Sequence, residues 1–267
     1  MPVEKCLVTN HEQRSPDMYQ LEFYSPDIAD LCQPGQFVHI RVNSGQDPLL
    51  RRPLSIYDVD KESGKITLLY KVVGQGTEIL TRIRCDEYLD VMGPLGQGFN
   101  TAPPGSHMVL IGGGVGIAPL VYLARVLKES NYQVTVLNGT DQGINLAAAE
   151  RLAGMGVSYL PATDDGSAGF KGLVTDLLKE KMDPEQIDYI YLCGPEAMMA
   201  AAAEYAAKNN IPGQASLEEH MACGVGACLG CARRLRSSDE NYVKICKDGP
   251  VFAIDQIEWA RIQEVTG

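Results

Sequence analysis

Four cysteines near the C-terminal end of the chain have the spacing of ligands for an iron–sulfur cluster. They follow the pattern Cys223-x4-Cys228-x2-Cys231-x14-Cys246. The first three match the loop that wraps a plant-type [2Fe–2S] cluster, with the fourth thiolate arriving from a separate turn. Several residues between them are small: Gly224, Gly226, Ala227 and Gly230. Small residues let the backbone fold tightly and aim N–H groups at sulfur, so we predict a [2Fe–2S] cluster bound by these four cysteines.

A structural zinc site with four cysteine ligands is the competing interpretation. Zinc loops usually carry two matched short pairs of ligands, whereas this sequence has a close triple and one distant cysteine. Unliganded thiols are a third interpretation. The spacing and the glycine content favour the iron–sulfur cluster.

A glycine-rich loop lies between a predicted strand and a predicted helix. The loop contains Gly112, Gly113, Gly114 and Gly116. Glycines let the backbone approach a pyrophosphate, whose charge is favoured at the N-terminus of a helix. Ile117 stands where the third glycine of the G-x-G-x-x-G fingerprint belongs. A tight turn between strand and helix therefore remains an alternative.

A second loop, Cys193-Gly194-Pro195, follows a later predicted strand. It lies where the topological switch point of a parallel sheet would place a ligand, although a buried cysteine before a turn would have the same sequence. Together the two loops predict a nicotinamide nucleotide site. After the strand predicted at 133–138, residues 139–142 include no Arg or Lys to hold a 2′-phosphate, so NAD is preferred over NADP.

Two motifs in the first third of the chain could bind a cofactor that carries phosphate. In Arg52-Pro53-Leu54-Ser55, the arginine could pair with a phosphate in bidentate fashion and the serine offers a hydroxyl near a heterocycle. Gly76-Thr77 precedes an apolar helical stretch. We expect Thr77 to be the N-cap and Gly76 to expose N–H groups to an anion. An exposed charge pair and an ordinary capped helix are the alternatives.

The spacing of apolar residues divides the chain into three segments. Residues 1–100 carry short β-rich stretches, which predict an antiparallel barrel. Residues 101–214 alternate strand and helix, which predicts a parallel sheet with crossover helices. Residues 215–267 hold the cysteine cluster and are too short for a large core, so a metal centre would help to hold them together. The predicted fold class is therefore a β-barrel plus an α/β domain, with a small C-terminal [2Fe–2S] domain.

Particular elements follow from the same patterns. Strands are predicted at 36–42, 66–73, 108–111, 133–138 and Tyr189–Cys193, helices at 120–128, 146–153 and 197–209, and a Pro/Gly-rich linker at 101–105.

The charge balance and the cysteine usage exclude several classes of protein. There are 23 Lys and Arg against 34 Asp and Glu, for a formal net charge of −11. This balance argues against non-specific nucleic-acid binding. The uncharged stretch 107–124 contains four glycines and Pro119, so it fits a strand, a loop and a helix start better than a membrane span. We predict a cytoplasmic protein without a disulfide framework that binds neither nucleic acid nor membrane.

Five motifs taken together resemble the ferredoxin–NADP reductase superfamily, which joins an FAD-binding barrel to a nucleotide-binding domain. They are Arg52-Pro53-Leu54-Ser55, Gly76-Thr77, Gly93-Pro94-Leu95-Gly96, the stretch 112–119 and Cys193-Gly194-Pro195. The run from Met221 to Cys231 narrows the resemblance to the electron transfer subunits of class 1B dihydroorotate dehydrogenases, and this resemblance covers essentially the whole chain. Leu54 stands where many superfamily members have an aromatic residue, and an aliphatic residue is acceptable in the dihydroorotate branch.

The resemblance implies FAD, a [2Fe–2S] cluster and NAD as cofactors. Ser55 would lie near the reactive flavin nitrogen and is the candidate catalytic residue. The implied FAD contacts are Arg52, Pro53, Leu54, Ser55, Leu69, Tyr70, Lys71, Gly76 and Thr77. The NAD contacts expected from the two loops are Gly112, Gly113, Gly114, Gly116, Cys193, Gly194 and Pro195. The resemblance also implies that Cys223, Cys228, Cys231 and Cys246 ligate the cluster.

The same resemblance implies an oxidoreductase subunit that does not itself oxidise dihydroorotate. The substrate would be oxidised on an FMN-containing catalytic subunit, in a heterotetramer of two copies of each. Electrons would pass through the [2Fe–2S] cluster and FAD to NAD+ in pyrimidine (UMP) biosynthesis.

Three other functions are weighed against this one. The alternative is the small subunit of a ferredoxin- or sulfide-linked NAD(P) oxidoreductase. Those relatives tend to replace a cluster cysteine with Asp, and Cys223 argues against that. A stand-alone reductase feeding an oxygenase fits the x14 gap poorly. A redox-sensing module has no need for paired FAD and nucleotide loops.

Overall fold

Six antiparallel strands close into a barrel in the first third of the chain. The computed structural model describes residues 2–43, 45, 47–102, 106–236 and 242–259. The barrel strands are β1 (Val3–Ser15), β2 (Met18–Tyr24), β3 (Phe37–Arg41), β4 (Arg52–Asp60), β5 (Lys65–Lys71) and β6 (Tyr88–Leu95). They are hydrogen-bonded in the order β1-β2-β5-β4-β3-β6, and β6 pairs with β1. Two short helices lie between them, α1 (Pro26–Leu31) and α2 (Gln75–Leu80).

Strand β3 separates two apolar cores by alternation. Val38 and Ile40 are fully buried in the core of the barrel. Successive side chains of a strand point to opposite faces, and Phe37 accordingly belongs to a different core that also contains Cys231 and Cys246. The outer face of β3 therefore supports the C-terminal segment that carries the cysteines.

A seven-stranded sheet follows the barrel. Its strands are β7 (His107–Gly113), β8 (Gln133–Thr140), β9 (Ser158–Thr163), β10 (Phe170–Lys171), β11 (Tyr189–Cys193), β12 (Gly213–Ser216) and β15 (Val251–Ala253). The order is β10-β9-β8-β7-β11-β12-β15. The pairings are parallel except that β15 runs antiparallel to β12. The helices that accompany the sheet are α3 (Ala118–Glu129), α4 (Ala149–Gly154), α5 (Val174–Lys181) and α6 (Glu196–Lys208).

The C-terminal segment shares the nucleotide sheet instead of standing apart from it. Strand β12 spans the predicted division between residues 214 and 215, and β15 comes from beyond the cysteines. A small antiparallel pair, β13 (Ala232–Arg234) and β14 (Tyr242–Lys244), lies between the third and fourth cysteines. The loop that carries the cysteines is thus anchored on both sides by the same sheet.

The predicted fold class is confirmed, and so are the element types predicted along the chain. The strand predicted at Tyr189–Cys193 has the observed limits, and the other predicted strands and helices overlap observed ones. Residues 103–105 of the predicted linker lie outside the described residues, as do residues 237–241 and 260–267 of the predicted cluster domain. No helix in the described part of the chain is long and apolar enough to cross a membrane.

Helix α3 holds the barrel and the sheet together. Arg125 on α3 binds Asp58 of β4 (Nε to Oδ1, 2.8 Å) and the Val59 carbonyl (2.6 Å). Arg151 of α4 pairs with the other oxygen of Asp58, whose side chain is only 7% exposed. The Tyr122 hydroxyl donates to the carbonyl of Cys32 (3.3 Å). Since a buried carboxylate needs such partners, these contacts fix the orientation of the barrel relative to the sheet.

Candidate functional site

A cavity of about 330 Å³ lies where the barrel, the sheet and the C-terminal segment meet. The barrel contributes residues 52–55 of β4, residues 69–71 of β5 and Thr77 of α2. Every residue predicted to contact FAD except Gly76 therefore lines one cavity. The glycine-rich loop contributes Val115, α3 contributes Ala118, and the opposite wall is formed by residues 216–221 and Pro250. Segments far apart in the sequence thus converge on one space.

Gly76 lies next to this cavity, and its lack of a side chain leaves room for the guanidinium of Arg52. A Cβ atom at Gly76 would collide with the Nε atom of Arg52. Nη1 of Arg52 donates to the Leu50 carbonyl (2.6 Å). Gly76 is in the first turn of α2, where backbone N–H groups have no partner inside the helix. An arginine beside a helix N-terminus is suited to bind phosphate, so the residues present fit the pyrophosphate of FAD.

Thr77 has a different role in helix α2 from the one predicted. The helix begins at Gln75 with Gly74 as its N-cap, which makes Thr77 the third helical residue. Its Oγ1 accepts hydrogen bonds from the N–H groups of Val73 (3.0 Å) and Gly74 (3.2 Å). The prediction of Thr77 as the N-cap is wrong, because Gly74 takes that position and the threonine hydroxyl turns back to satisfy the N–H groups before the helix.

Tyr70 is held rigidly in the cavity wall by neighbouring strands. Its hydroxyl is hydrogen-bonded to Nε2 of His11 (3.0 Å), and its ring stacks on Tyr19 with centroids 5.8 Å apart. Burial raises the pKa of the Tyr70 hydroxyl, so the side chain stays neutral. Lys71 is paired with Asp17 (2.9 Å). The wall formed by β5 is therefore positioned before any ligand binds.

The two loops predicted to bind the nucleotide pack against each other. A Cβ atom at Gly116 would stand 2.5 Å from the Cα atom of Gly194 and 2.6 Å from the carbonyl oxygen of Cys193. A Cβ atom at Gly113 would stand 2.7 Å from the Cδ atom of Pro195. Adjacent parallel strands β7 and β11 end at the same edge of the sheet, and only glycine allows their following loops to come this close.

The other two glycines of the first loop, Gly112 and Gly114, have different surroundings. A Cβ atom at Gly112 would meet Ile117 at 2.6 Å, within the same turn. Gly114 has a φ of +54° and open space where a Cβ atom would stand. Gly114 is thus the one glycine of this loop whose surroundings leave room for a ligand.

Cys193 lies behind the cavity. It is 1% exposed and faces Ser216 across the β11–β12 register, and Ser216 lines the cavity. Burial raises the pKa of the Cys193 thiol, which keeps it uncharged. Cys193, Gly194 and Pro195 are outside the set of residues that line the cavity.

Asp141 directly follows β8, at the strand end where an NAD site and an NADP site are expected to differ. Oδ1 of Asp141 accepts hydrogen bonds from the side chain of Asn145 (2.7 Å) and the N–H of Gln142 (3.0 Å). The Asn145 hydrogen bond is the largest cause that lowers the pKa of Asp141. An acidic residue at this strand end is typical of binding to a ribose hydroxyl and opposes a 2′-phosphate.

Backbone N–H groups in the cysteine loop point at the sulfur atoms. Val225 and Ala227 donate to Sγ of Cys223 (3.5 and 3.3 Å), and Gly226 donates to Sγ of Cys246 (3.1 Å). Two further N–H···S contacts, of 3.4 Å each, join Gly230 to Cys228 and Cys246 to Cys231. Gly224 and Gly226 adopt positive φ angles of +71° and +79°, which turn the N–H groups inward. Such donors stabilise negative charge on thiolate ligands.

The four thiols form two interacting pairs. Burial acts to raise the pKa of Cys223, but hydrogen bonds from backbone N–H groups and Cys228 outweigh it and lower that pKa to about 6. Burial and the neighbouring Cys231 raise the pKa of Cys246 to about 12. Among the described residues, no three His, Cys, Asp or Glu side chains are gathered as around one ion. The sulfur-directed N–H groups fit cysteines that carry an iron–sulfur cluster.

The cavity wall opposite the barrel is formed by residues that sequence patterns do not predict. Glu218 and His220 line the cavity, as does Met221. Glu218 is open to the cavity but otherwise surrounded by protein, and this burial raises the pKa of its carboxyl group. The available signal was topological: β12 lies beside β11 in the sheet, so the residues after β12 must enter the same crevice.

Family comparisons agree with this three-part site. Residues 5–99 match an oxidoreductase FAD-binding domain, and residues 110–204 match an oxidoreductase NAD-binding domain. Residues 218–258 match the iron–sulfur cluster binding domain of dihydroorotate dehydrogenase B. FAD, NAD and an iron–sulfur cluster are therefore the cofactors of this chain.

Solved structures share the fold. The structure of an NADH-dependent reduced ferredoxin–NADP oxidoreductase superposes with a TM-score of 0.82 at 30% identity, covering 95% of this chain and 90% of that one. A ferredoxin reductase of carbazole 1,9a-dioxygenase superposes with a TM-score of 0.66 at 19% identity, covering 79% and 67%. The second likeness concerns the fold alone.

Curated relatives match along nearly the whole chain. A dihydroorotate dehydrogenase B (NAD(+)) electron transfer subunit from Desulforamulus reducens is 44% identical over 246 residues, which cover 92% of this chain and 94% of the relative. The subunit of the same name from Bacillus caldolyticus is 39% identical over 256 residues, or 95% and 98%. Similarity at this level over three matched domains shows that the chain belongs to the family of dihydroorotate dehydrogenase B electron transfer subunits.

Proposed function

We propose that this chain delivers to NAD+ the electrons that a catalytic partner subunit removes from dihydroorotate on FMN, as part of UMP biosynthesis. The observation that carries the proposal is the shared cavity, which residues of the FAD motif, the glycine-rich loop and the segment leading to Cys223 line together. When bound, the cluster exchanges single electrons, nicotinamide accepts a hydride, and the flavin does both. The chain itself supplies the geometry that holds these groups near one another.

Each part of the chain has a distinct task in this scheme. Arg52 and the start of α2 bind the pyrophosphate of FAD, and the β4 and β5 residues of the cavity wall hold its rings. Ser55 would offer its hydroxyl to the reactive flavin nitrogen and is the candidate catalytic residue. The loop with Gly114 binds the NAD phosphates, while Cys193 and its following turn support that loop from behind. Cys223, Cys228, Cys231 and Cys246 hold the cluster.

The partner subunit would dock near the cysteine loop. Val225 and Leu229 in this loop are 40% and 61% exposed, and Cys228 is exposed between them. Apolar side chains around a surface cofactor suit contact with another protein. We expect a heterotetramer of two copies of each subunit. None of the eight cysteines, all of which lie among the described residues, forms a disulfide, which supports a cytoplasmic location.

The first test is dihydroorotate-dependent formation of NADH by the tagged chain isolated with its bound partner. We expect a rate that disappears when the co-purifying subunit is removed. Absence of this rate in material that contains FAD, the cluster and active NADH-to-dye transfer would contradict dihydroorotate as the electron source.

A substitution separates the two halves of the electron path. Deleting the C-terminal segment would also remove β15 from the sheet and Pro250 from the cavity, so a point change is cleaner. In Cys228→Ala, an exposed ligand is lost without a change in the core. We expect dihydroorotate-dependent NADH formation to fall to background while FAD content and NADH-to-dye transfer are kept. Cys85→Ala removes an exposed cysteine outside the cluster loop and should retain both activities.

A second candidate function is the small subunit of a ferredoxin-linked NAD(P) oxidoreductase. The specific observation in its favour is the likeness to the ferredoxin–NADP oxidoreductase structure over 95% of this chain. Supplying reduced ferredoxin to the isolated complex tests it. NAD(P)H formation from ferredoxin, with none from dihydroorotate, would replace the first proposal with this one.

A further inference from the structure

His39 is a fully buried histidine on the face of β3 that supports the cysteine segment. It is 0% exposed, and its ring meets the ring of Phe37 edge-on with centroids 6.4 Å apart. In the strand register it lies opposite Pro53 of β4 and Met92 of β6. Pro53 lines the cavity that we propose to bind FAD, here called the flavin cavity. His39 is therefore located between the flavin cavity and the cysteine loop.

Neither ring nitrogen of His39 has a hydrogen-bond partner among the described residues. Two other histidines show what this fold normally provides. Nδ1 of His107 is bonded to the Gln186 carbonyl (2.7 Å) and its Nε2 to the Thr135 hydroxyl (2.9 Å). Both ring nitrogens of His11 are paired as well. Because an unpartnered buried polar group costs free energy, the exception at His39 points to a partner outside the described residues.

The position of Gly224 shows which part of the chain lies against the His39 ring. A Cβ atom at Gly224 would stand 2.5 Å from Nδ1 of His39 and 3.2 Å from Cε of Met92. The imidazole therefore lies against the cysteine loop, directly after Cys223. The N–H groups of Val225, Gly226 and Ala227 are already directed at sulfur. A ring N–H at this place would extend the same set of donors.

The charge state of His39 is consistent with a neutral donor. Burial is the main cause that lowers its pKa, and the guanidinium groups of Arg51 and Arg52 lower it further, to about 4. Neutral imidazole carries one N–H and one acceptor nitrogen. No acceptor for that N–H lies among the described residues, so the ring is available to donate to a bound group.

We propose that Nδ1–H of His39 donates a hydrogen bond to a sulfur of the iron–sulfur cluster held by this loop, and so acts as a positioning residue that raises the cluster's reduction potential. A donor of this kind stabilises the more negative, reduced cluster more than the oxidised one. The inference depends on the cluster that the family carries. It is independent of whether dihydroorotate or another donor supplies the electrons.

The test is a potentiometric titration of the purified holo-subunit, followed by EPR of the reduced cluster and by the flavin absorbance. In His39→Leu, we expect the equilibrium constant for cluster reduction to fall about tenfold, which is about 59 mV for one electron. The flavin potential should stay unchanged. Met92→Leu is the matched control, because Met92 packs on the same glycine but has no hydrogen-bond donor, and it should leave the cluster potential as it is.

If His39→Leu loses its cluster, two further variants still test the proposal. An asparagine amide reaches the position of Nδ1, and a glutamine amide reaches that of Nε2. We expect His39→Asn to keep a cluster potential and EPR spectrum closer to those of the unchanged protein than His39→Gln does. Equal potentials in all loaded variants, or a shift of the flavin potential alone, would overturn the proposal. Neither the potential nor the EPR spectrum depends on NADH formation, so a negative result here would not contradict the proposed function.

Discussion

The glycine-rich loop after β7 and the cysteine loop have similar compositions but opposite surroundings. Gly112, Gly113 and Gly116 are buried, and a Cβ atom at any of them would meet protein closer than 3 Å. In the cysteine loop, residues 227–230 are exposed and the N–H groups are directed at sulfur. The first loop is held by the protein itself, whereas the second is shaped for a group that the protein must acquire.

This difference shows that glycine content alone does not reveal what a loop binds. In the first loop, the Cys193-Gly194-Pro195 turn packs on Gly113 and Gly116, Ile117 packs on Gly112, and Gly114 alone has open space. In the cysteine loop, glycines create positive φ angles that turn donors inward. Substitutions in the first loop should therefore change the stability of the fold, and those in the second should mainly change cofactor retention.

The largest expected effect on stability is at Gly116. In Gly116→Ala, the new methyl group would press on the backbone of Cys193 and Gly194, which cannot move without disturbing β11. We expect the free energy of unfolding to fall by about 3 kcal/mol, measured by urea denaturation. Gly114→Ala is the matched control, since its methyl group enters open space and only the positive φ opposes it, at about 1 kcal/mol. Equal losses in the two variants would remove the distinction between packing and backbone conformation.

An intermediate effect is expected at Gly224, with a different signature. Gly224→Ala would place a methyl group against His39 at a φ of +71°, for a loss of about 2 kcal/mol. We expect the iron content per chain to fall sharply while the FAD content stays the same. Gly230→Ala is the control, because its Cβ atom would meet Cys228 Sγ at an ordinary 3.5 Å. If Gly224→Ala retains its iron, the cysteine loop tolerates a close Cβ contact of the kind that we expect to destabilise the glycine-rich loop at Gly116.

The smallest effect is expected at Leu229, which has a φ of +60° and a side chain that is 61% exposed. Leu229→Gly relieves the left-handed conformation but adds chain entropy to the unfolded state. We expect the free energy of unfolding to rise by about 0.5–1 kcal/mol, with an unchanged iron content. Val225→Gly, at an exposed position without positive φ, should lower stability instead. A loss of stability in Leu229→Gly would mean that the leucine side chain packs in the isolated chain.

Local patterns predicted the elements well and the helix start at α2 poorly. Strand β11 and helix α6 are readable because each has an uninterrupted apolar or alanine-rich pattern between turn residues. Residue types predict Thr77 as the N-cap because threonine is a common capping residue. The extended backbone at Gly74 starts the helix instead. Gly74 is the N-cap because of its backbone conformation, and the residue types around α2 do not reveal that conformation.

The amino-acid sequence by itself determined the motifs that we propose to hold the cofactors: the cysteine spacing, the glycine-rich loop and the Arg52 motif are local, so their chemistry can be read within a few residues. Only the tertiary structure decided how these pieces meet. It places Arg52 against Gly76, brings Glu218 into the flavin cavity, adds β15 to the nucleotide sheet and sets His39 against Gly224. These contacts join residues far apart in the chain. They depend on strand order and packing of the whole molecule, which no short pattern encodes.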